Sequence, residues 1–432
     1  MRYLSTRGTS TDTGIVQALE SGLAPDGGLY LPERLPEFVP GDFAGRFDPA
    51  AVCVHLLAPF FAGSPLAGAL PALSAEAFAQ PLSLDRLRGA GDFVLELFHG
   101  PTAAFKDIGA RFLAASLSTL RRPGDPMQTI LVATSGDTGA AVAAAFHRRA
   151  GFRVVILYPR FGVSPRQAQQ LGAFADNVQA LSVNGTFDDC QRMAKAALGD
   201  ANLRARLRLG TANSISLGRL LPQAAYYAWA SLEHWRASGA PLSFVVPTGN
   251  LGNALAALLA KRMGLPIARI VLACNANDTL PRFFSGQPYA PQPSRATLAN
   301  AMDVGAPSNF ERLRALYPDD DAIRADLSAI AVEDDEIRGT LTTARARHGI
   351  EPCPHTACAL NVLEHLRSQG DAGAWSIVAT AHPAKFPEIV EPAFGHAVAA
   401  PAALARLLEQ PSRSWPMEPD LRALQTRLLA AT

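Results

Sequence analysis

Apolar residues along the 432-residue chain switch between two periods. Short, nearly unbroken apolar runs at 129–133, 154–158, 243–247, 270–274 and 376–380 predict strands buried on both faces. Between them the apolar positions recur at helical spacing. Ile108, Phe112, Leu113, Leu117 and Leu120 follow Lys106; Leu220, Leu221, Ala224, Tyr227 and Ala228 follow Arg219; and 254–263 form an apolar stretch closed by Gly264. Strands alternating with such helices predict an α/β chain with mostly parallel sheet and helices on both faces. Ahead of these units, a capped helix is expected from Thr11 to Leu23, with Ile15, Leu19 and Leu23 on one face. A turn at 24–28, a strand fragment at 29–31, an apolar helix at 50–61 and a connection with a further helix at 63–80 complete the lead-in. Residues 275–320 read as irregular and polar, and no internal repeat is present.

The strand-to-helix junctions carry the candidate chemistry. Residues 134–139, Thr-Ser-Gly-Asp-Thr-Gly, follow the first strong strand, and Asp137 or Thr138 is placed to cap the next helix. Residues 248–253, Thr-Gly-Asn-Leu-Gly-Asn, follow another strand, with Gly249 and Gly252 letting backbone amides turn toward one point. Amides at a helix start bind anions, phosphate or carboxylate alike. Neither loop fits a Walker loop or the G-x-G-x-x-G dinucleotide fingerprint. Asn213, Ser214 and Arg219 precede a third helix and form a candidate phosphate or carboxylate clamp. Each feature alone also reads as an ordinary cap or a solvent-facing cation. Lys106, beside Phe105 at a helix start, has the positive end of the helix dipole against its ammonium and is a candidate for imine chemistry. Taken alone, it reads more readily as an ordinary surface lysine snorkelling from a helix.

Composition narrows the partners. A net charge of +1, with 48% hydrophobic and 18% charged residues, gives no electrostatic case for a nucleic-acid or membrane partner. Cys53, Cys190, Cys274, Cys353 and Cys358 form no C-x-x-C pair, and Cys353-Pro-His355-Thr-Ala-Cys358 lacks the second cluster a zinc site needs. The first residues lack the apolar core of a signal peptide, and no apolar run reaches the ~18 residues of a membrane span, so a cytoplasmic location is expected.

The lysine, the two anion loops and Thr380-Ala-His-Pro-Ala-Lys385 together resemble the threonine synthases, pyridoxal-phosphate enzymes of the tryptophan-synthase-β fold, in their longer bacterial and fungal type. The match is dispersed nearly end to end, from Tyr3-Leu-Ser-Thr-Arg-Gly8 and residues 22–28 through Ala301-Met-Asp303 to Phe386. The resemblance implies two open, mostly parallel sheet domains with helices on both faces (the type II pyridoxal-phosphate fold) plus a small N-terminal unit. The expected division is 1–95 for the N-terminal unit, 96–127 with 235–432 for the large cofactor domain, and 128–234 for the smaller domain.

By the same resemblance Lys106 holds pyridoxal 5'-phosphate as a Schiff base, and Gly249, Asn250, Leu251, Gly252 and Asn253 cradle its phosphate. Thr380 faces the ring nitrogen and Asp137 the phenolic oxygen. Ser135, Gly136 and Thr138 receive the substrate carboxylate, while Asn213, Ser214 and Arg219 hold the substrate phosphate. The implied reaction turns O-phospho-L-homoserine and water into L-threonine and phosphate, in a monomer or homodimer without nucleic acid or membrane. Two departures stand out: Phe161 after Arg160, where a basic residue is common, and Cys353, where an acidic one is expected. A pyridoxal-phosphate serine or threonine dehydratase, and a non-enzymatic binder of phosphorylated metabolites, remain open as alternatives.

Overall fold

Two mostly parallel sheets, set by those apolar runs, form the frame of the computed structural model, which describes residues 1–8, 13–89 and 91–430. The larger sheet has six strands in the order Leu327–Ala331, Ile267–Cys274, Leu242–Pro247, Trp375–Ala379, Phe93–Glu96 and Ser83–Arg86. Its strands are parallel except for the edge strand Ser83–Arg86, which runs antiparallel to Phe93–Glu96. The smaller sheet is parallel throughout, in the order Trp415–Met417, Val178–Val183, Phe152–Pro159, Gln128–Ala133 and Gly210–Thr211. Gln128–Ala133, Phe152–Pro159, Leu242–Pro247 and Trp375–Ala379 are buried at every position, as expected of strands covered on both faces.

Helix Leu217–Ser238 spans 22 residues, roughly 33 Å at 1.5 Å per residue, and is buried along most of its length. It packs against helices Lys106–Leu120, Gly252–Arg262 and Pro49–Phe61. Gly109 permits the crossing with helix Lys106–Leu120, since a Cβ there would lie 2.7 Å from the Arg219 carbonyl oxygen. That close approach brings Lys106 and Arg219, three residues before Gly109 and on the facing helix, toward one space.

The N-terminal strand Tyr3–Ser5 pairs antiparallel with Tyr30–Pro32, and helix Ile15–Ser21 ends at Gly22. The expected capping start at Thr11 lies outside the described residues. Residue 95, the expected boundary, lies inside strand Phe93–Glu96, which with Ser83–Arg86 belongs to the larger sheet. Trp415–Met417, expected with the large domain, adds to the smaller sheet beside Val178–Val183. Within 275–320, expected to be irregular, helices Thr279–Phe284 and Phe310–Ala315 form around buried Phe283 and Phe310. No helix among the described residues is long and apolar enough to cross a membrane.

Candidate active site

The carboxyl ends of strands Gln128–Ala133, Leu242–Pro247 and Trp375–Ala379 open onto one cavity, where open α/β sheets bind ligands. Of the residues singled out from sequence, Lys106, Ser135, Asp137, Thr138, Asn213, Ser214, Arg219, Gly249, Asn250, Gly252, Asn253 and Thr380 line it. Gly136 and Leu251 do not. Gly136 shapes the turn at φ 126°, and the Leu251 side chain is buried in the core.

Lys106 is the first residue of its helix, and its side chain is largely buried. Burial lowers its ammonium to about 8; Asp137 pulls upward against that, while Arg219 and Lys385 push further down. Asp137 Oδ2 lies 3.8 Å from Lys106 Nζ, whereas Asp137 Oδ1 lies 2.8 Å from Lys385 Nζ and accepts from Gln167 Nε2 at 3.0 Å. Burial raises the Asp137 carboxyl, but Lys385 and then Lys106 more than offset it and hold it well below the usual carboxylate range. The helix cap expected of Asp137 is instead supplied by Thr134, whose Oγ1 accepts from the amides of Gly136 and Gly139 at 3.0 and 2.9 Å. Asp137 is thereby free to face the lysines.

The phosphate cradle is built by the loop before helix Gly252–Arg262. Leu251 takes the left-handed conformation at φ 63°, which turns successive amides toward the same side. The amides of Gly249, Asn250, Leu251, Gly252 and Asn253 find no acceptor elsewhere in the chain among the described residues. Gly249 is sterically required, because a Cβ would fall 2.6 Å from the Met302 carbonyl oxygen; Gly252 has ordinary room, with Ser214 Cβ at 3.4 Å. Asn253 Oδ1 accepts from the hydroxyls of Tyr226 and Tyr227, leaving its buried Nδ2 without a partner. Asn250 ties the cradle to the clamp, donating to Ser214 Oγ at 2.6 Å. Free amides, an orphaned side-chain donor and a buried amine of lowered pKa in one cavity fit a phosphorylated aldehyde such as pyridoxal phosphate.

Arg219 is 1% exposed, its Nη1 donates to the Ala212 carbonyl at 2.9 Å, and its Nε has no partner. Burial lowers it to about 10, with Tyr226 and Asp107 pulling upward, so it stays cationic at neutral pH. Asn213 Oδ1 accepts from the Ala133 amide at 3.2 Å, which fixes the residue at the end of a central strand.

Several residues without a role in the sequence reading matter here. Lys385, fully buried, donates to Asp137 and to the Thr102 carbonyl at 2.8 Å each. His355 Nε2 accepts from the Ala301 amide at 3.0 Å, and burial lowers the ring to about 4, so it is neutral in the cavity wall. Gln167 orients Asp137 while taking a hydrogen bond from Asn300 at 2.9 Å. Lys195 lines the cavity with Phe187, Gln191, Ala194 and Leu198, one face of helix Phe187–Gly199. Buried Arg312 donates to Asn309 Oδ1 and to the carbonyls of Tyr30 and Ile215, holding the clamp loop in place. The two departures are also accounted for locally. Cys353 Sγ accepts from the Thr356 amide and caps helix Pro354–Ser368, the part an acidic residue would play. Phe161 is 81% exposed beneath the Arg160 guanidinium, 5.3 Å from its ring centre.

Three family models match the chain: threonine synthase N terminus over residues 2–76, pyridoxal-phosphate dependent enzyme over 78–384, and threonine synthase, C-terminal, over 356–427. The threonine synthase of Haemophilus influenzae is 38% identical over 415 residues, 96% of each chain. The crystal structure of threonine synthase from Escherichia coli matches with a TM-score of 0.93 at 36% identity, over 100% of both chains. The pyridoxal-phosphate-bound threonine synthase from Brucella melitensis matches with a TM-score of 0.87 at 35% identity, over 99% of this chain and 98% of that one. Maize serine racemase, at 16% identity and a TM-score of 0.51, shares the fold alone.

Proposed function

The chain belongs to the threonine synthase family of pyridoxal-phosphate enzymes, and from that premise we propose that it converts O-phospho-L-homoserine and water to L-threonine and phosphate. The observation that carries the choice of substrate is Arg219. A buried guanidinium with an unpartnered Nε, in the same cavity as Lys106, is costly unless an anion arrives to meet it. A substrate that brings its own phosphate supplies that anion.

Bound pyridoxal phosphate supplies an electron sink conjugated to the substrate α-carbon. Lys106 would carry the cofactor, and its amine would take and return the proton at Cα. The amides of residues 249–253 would hold the cofactor phosphate, with Thr380 at the ring nitrogen and Asp137 at the phenolic oxygen. A neutral hydroxyl at that nitrogen leaves the ring a weaker sink than a carboxylate partner would, which restrains transamination. Ser135, Gly136 and Thr138 would receive the substrate carboxylate at a helix start. Arg219, with Asn213 and Ser214, would hold the second phosphate while its bond to Cγ breaks. Overall a proton moves from Cβ to Cγ, the hydroxyl of water joins Cβ, and phosphate leaves.

The test compares phosphate release and threonine formation from O-phospho-L-homoserine with ammonia release from L-serine and L-threonine. Threonine and phosphate in equal amounts are expected. Efficient deamination of the free amino acids, with phosphohomoserine ignored, would favour a dehydratase and overturn the proposal. Lys106→Ala is expected to lose both the borohydride-sensitive visible band and threonine formation; a trapped cofactor on another lysine would reassign the amine.

A further inference from the structure

Of the 39 lysines and arginines, only four are lysines: Lys106, Lys195, Lys261 and Lys385. Lys261, at the far end of helix Gly252–Arg262 from the cavity, is ion-paired with Asp326. The other three converge on the cavity, two in its wall and Lys385 behind Asp137. Lys385 fills a site with two acceptors, Asp137 Oδ1 and the Thr102 carbonyl, and is fully enclosed.

We propose that Lys385 is a positioning residue that competes with Lys106 for Asp137, leaving the Lys106 amine without a carboxylate of its own. The inference rests on the reading above in taking Lys106 as the reactive amine. Asp137 stands between the two ammonium groups, 2.8 Å from Lys385 and 3.8 Å from Lys106. Gln167 adds a third donor on the oxygen that faces Lys385. Seen from Lys106, the Lys385 charge offsets part of the Asp137 charge. The remaining neighbours offer no anion. Arg219 is a cation, His355 is neutral with Nε2 taken up by the Ala301 amide, and Lys195 lies in the same cavity wall as a further cation. Asp107 is committed to Thr102, from which it accepts both the amide and the hydroxyl. If Lys385 were absent, Asp137 would pair with Lys106 alone and favour its protonated, unreactive form. Burial leads the lowering of Lys106 to about 8; Asp137 pulls against it, and Arg219 and then Lys385 offset that pull, which for Lys385 is the sign this arrangement requires.

The experiment is trace acetylation of the full chain, freed of cofactor, with acetic anhydride across pH 6–11, read by mass spectrometry. With only four lysines each can be followed separately, and Lys261 serves as the reference. Lys385→Met is expected to raise the labelling midpoint of Lys106 by about one unit or more, since an unshared opposite charge at this range is worth ~1–3 units. At neutral pH that means about tenfold less neutral amine per unit. The double variant Asp137→Asn/Lys385→Met removes both charges and is expected to bring the midpoint back to the parent's or a little below it. An unchanged or lowered midpoint in Lys385→Met overturns the proposal. Should the single variant not fold, a double variant displaced by about a unit in either direction overturns it equally. Borohydride trapping of added pyridoxal phosphate on the parent decides separately whether Lys106 is the cofactor lysine, so the two readings fail independently.

Discussion

Arg219→Lys keeps a cation at the end of the crossing helices but removes the planar fork that meets a phosphate with two hydrogen bonds. A charge-assisted hydrogen bond of about 1.5–3 kcal/mol, lost in the transition state, corresponds to roughly ten- to a hundredfold in kcat/KM on phosphohomoserine. Cofactor content is expected to stay at the parent's level, because Arg219 is assigned to substrate; a colourless Arg219→Lys protein would move it to the cofactor site. At this scale the sequence was informative wherever local pattern marked the residue. Lys106 followed a Gly-Pro turn and opened a helix, and Thr380 closed an apolar strand. Lys385 could be read only as part of a motif, since its partners lie far off in the chain, Thr102 by 283 positions. His355 stood out only as part of a Cys-His-Cys run without a second cluster; its two neighbouring thiols cap and bond within their own helix, while its ring meets the Ala301 amide 54 positions away. Long-range burial decides such roles, and it leaves no periodic trace.

The strand-to-helix junctions were legible because a parallel strand, a short polar loop and an apolar helix each carry their own signature. What pattern could not assign was the division of labour inside a loop. Asp137 or Thr138 reads as the cap and Thr134 supplies it; Gly249 and Gly252 read as the turning residues and Leu251 is the left-handed one. Short strands at the sheet edges also escaped: half-exposed Ser83–Arg86, two-residue Gly210–Thr211, and Trp415–Met417 with its internal proline. The glycine contrast gives a direct check. Gly249→Ala forces a Cβ against the Met302 backbone, an overpacking of about 1–3 kcal/mol, and is expected to weaken pyridoxal-phosphate binding by roughly five- to a hundredfold. Gly252→Ala, with ordinary clearance and no positive φ, is expected to change it less than about threefold. Equal losses in fluorescence titrations of the two variants would move the sterically critical point of the cradle. On the facing wall, helix Phe187–Gly199 presents Lys195 to the cavity from an exposed position. A solvated charge of this kind contributes ~0.2–1 kcal/mol. Lys195→Gln is therefore expected to raise KM for phosphohomoserine about two- to fivefold with kcat nearly unchanged; a fall in kcat alone would deny it a part in binding.

At the scale of the whole molecule, buried titratable groups tie the stability of the fold to the pH at which the site works. His355 and His382 are both lowered to about 4, chiefly by burial. Unfolding restores an ordinary imidazole, so between about pH 4 and 6.5 the unfolded chain binds more protons at these two sites. Their stabilisation is complete above the unfolded value and is lost as pH falls toward the folded one. Asp303, raised to about 7 by burial against hydrogen bonds from Thr297 and Asn275, has the opposite sign. It holds a proton in the folded chain that the unfolded chain releases, and so loses stability as pH rises through the same window. His55 and His234, lowered by burial, add to the first effect, and His396, raised by its hydrogen bond to the Ala397 carbonyl and by Glu351, works against it. Two fully shifted histidines against one carboxyl leave a net uptake of about one proton on unfolding, or about 1.4 kcal/mol lost per unit of acidification. The urea midpoint is accordingly expected to fall steadily from pH 6.5 to 4.5. In His355→Gln, where an amide oxygen can still accept from the Ala301 amide, the slope is expected to shrink toward zero, because one histidine then stands against one carboxyl. A slope equal to the parent's would place the pH sensitivity elsewhere in the fold.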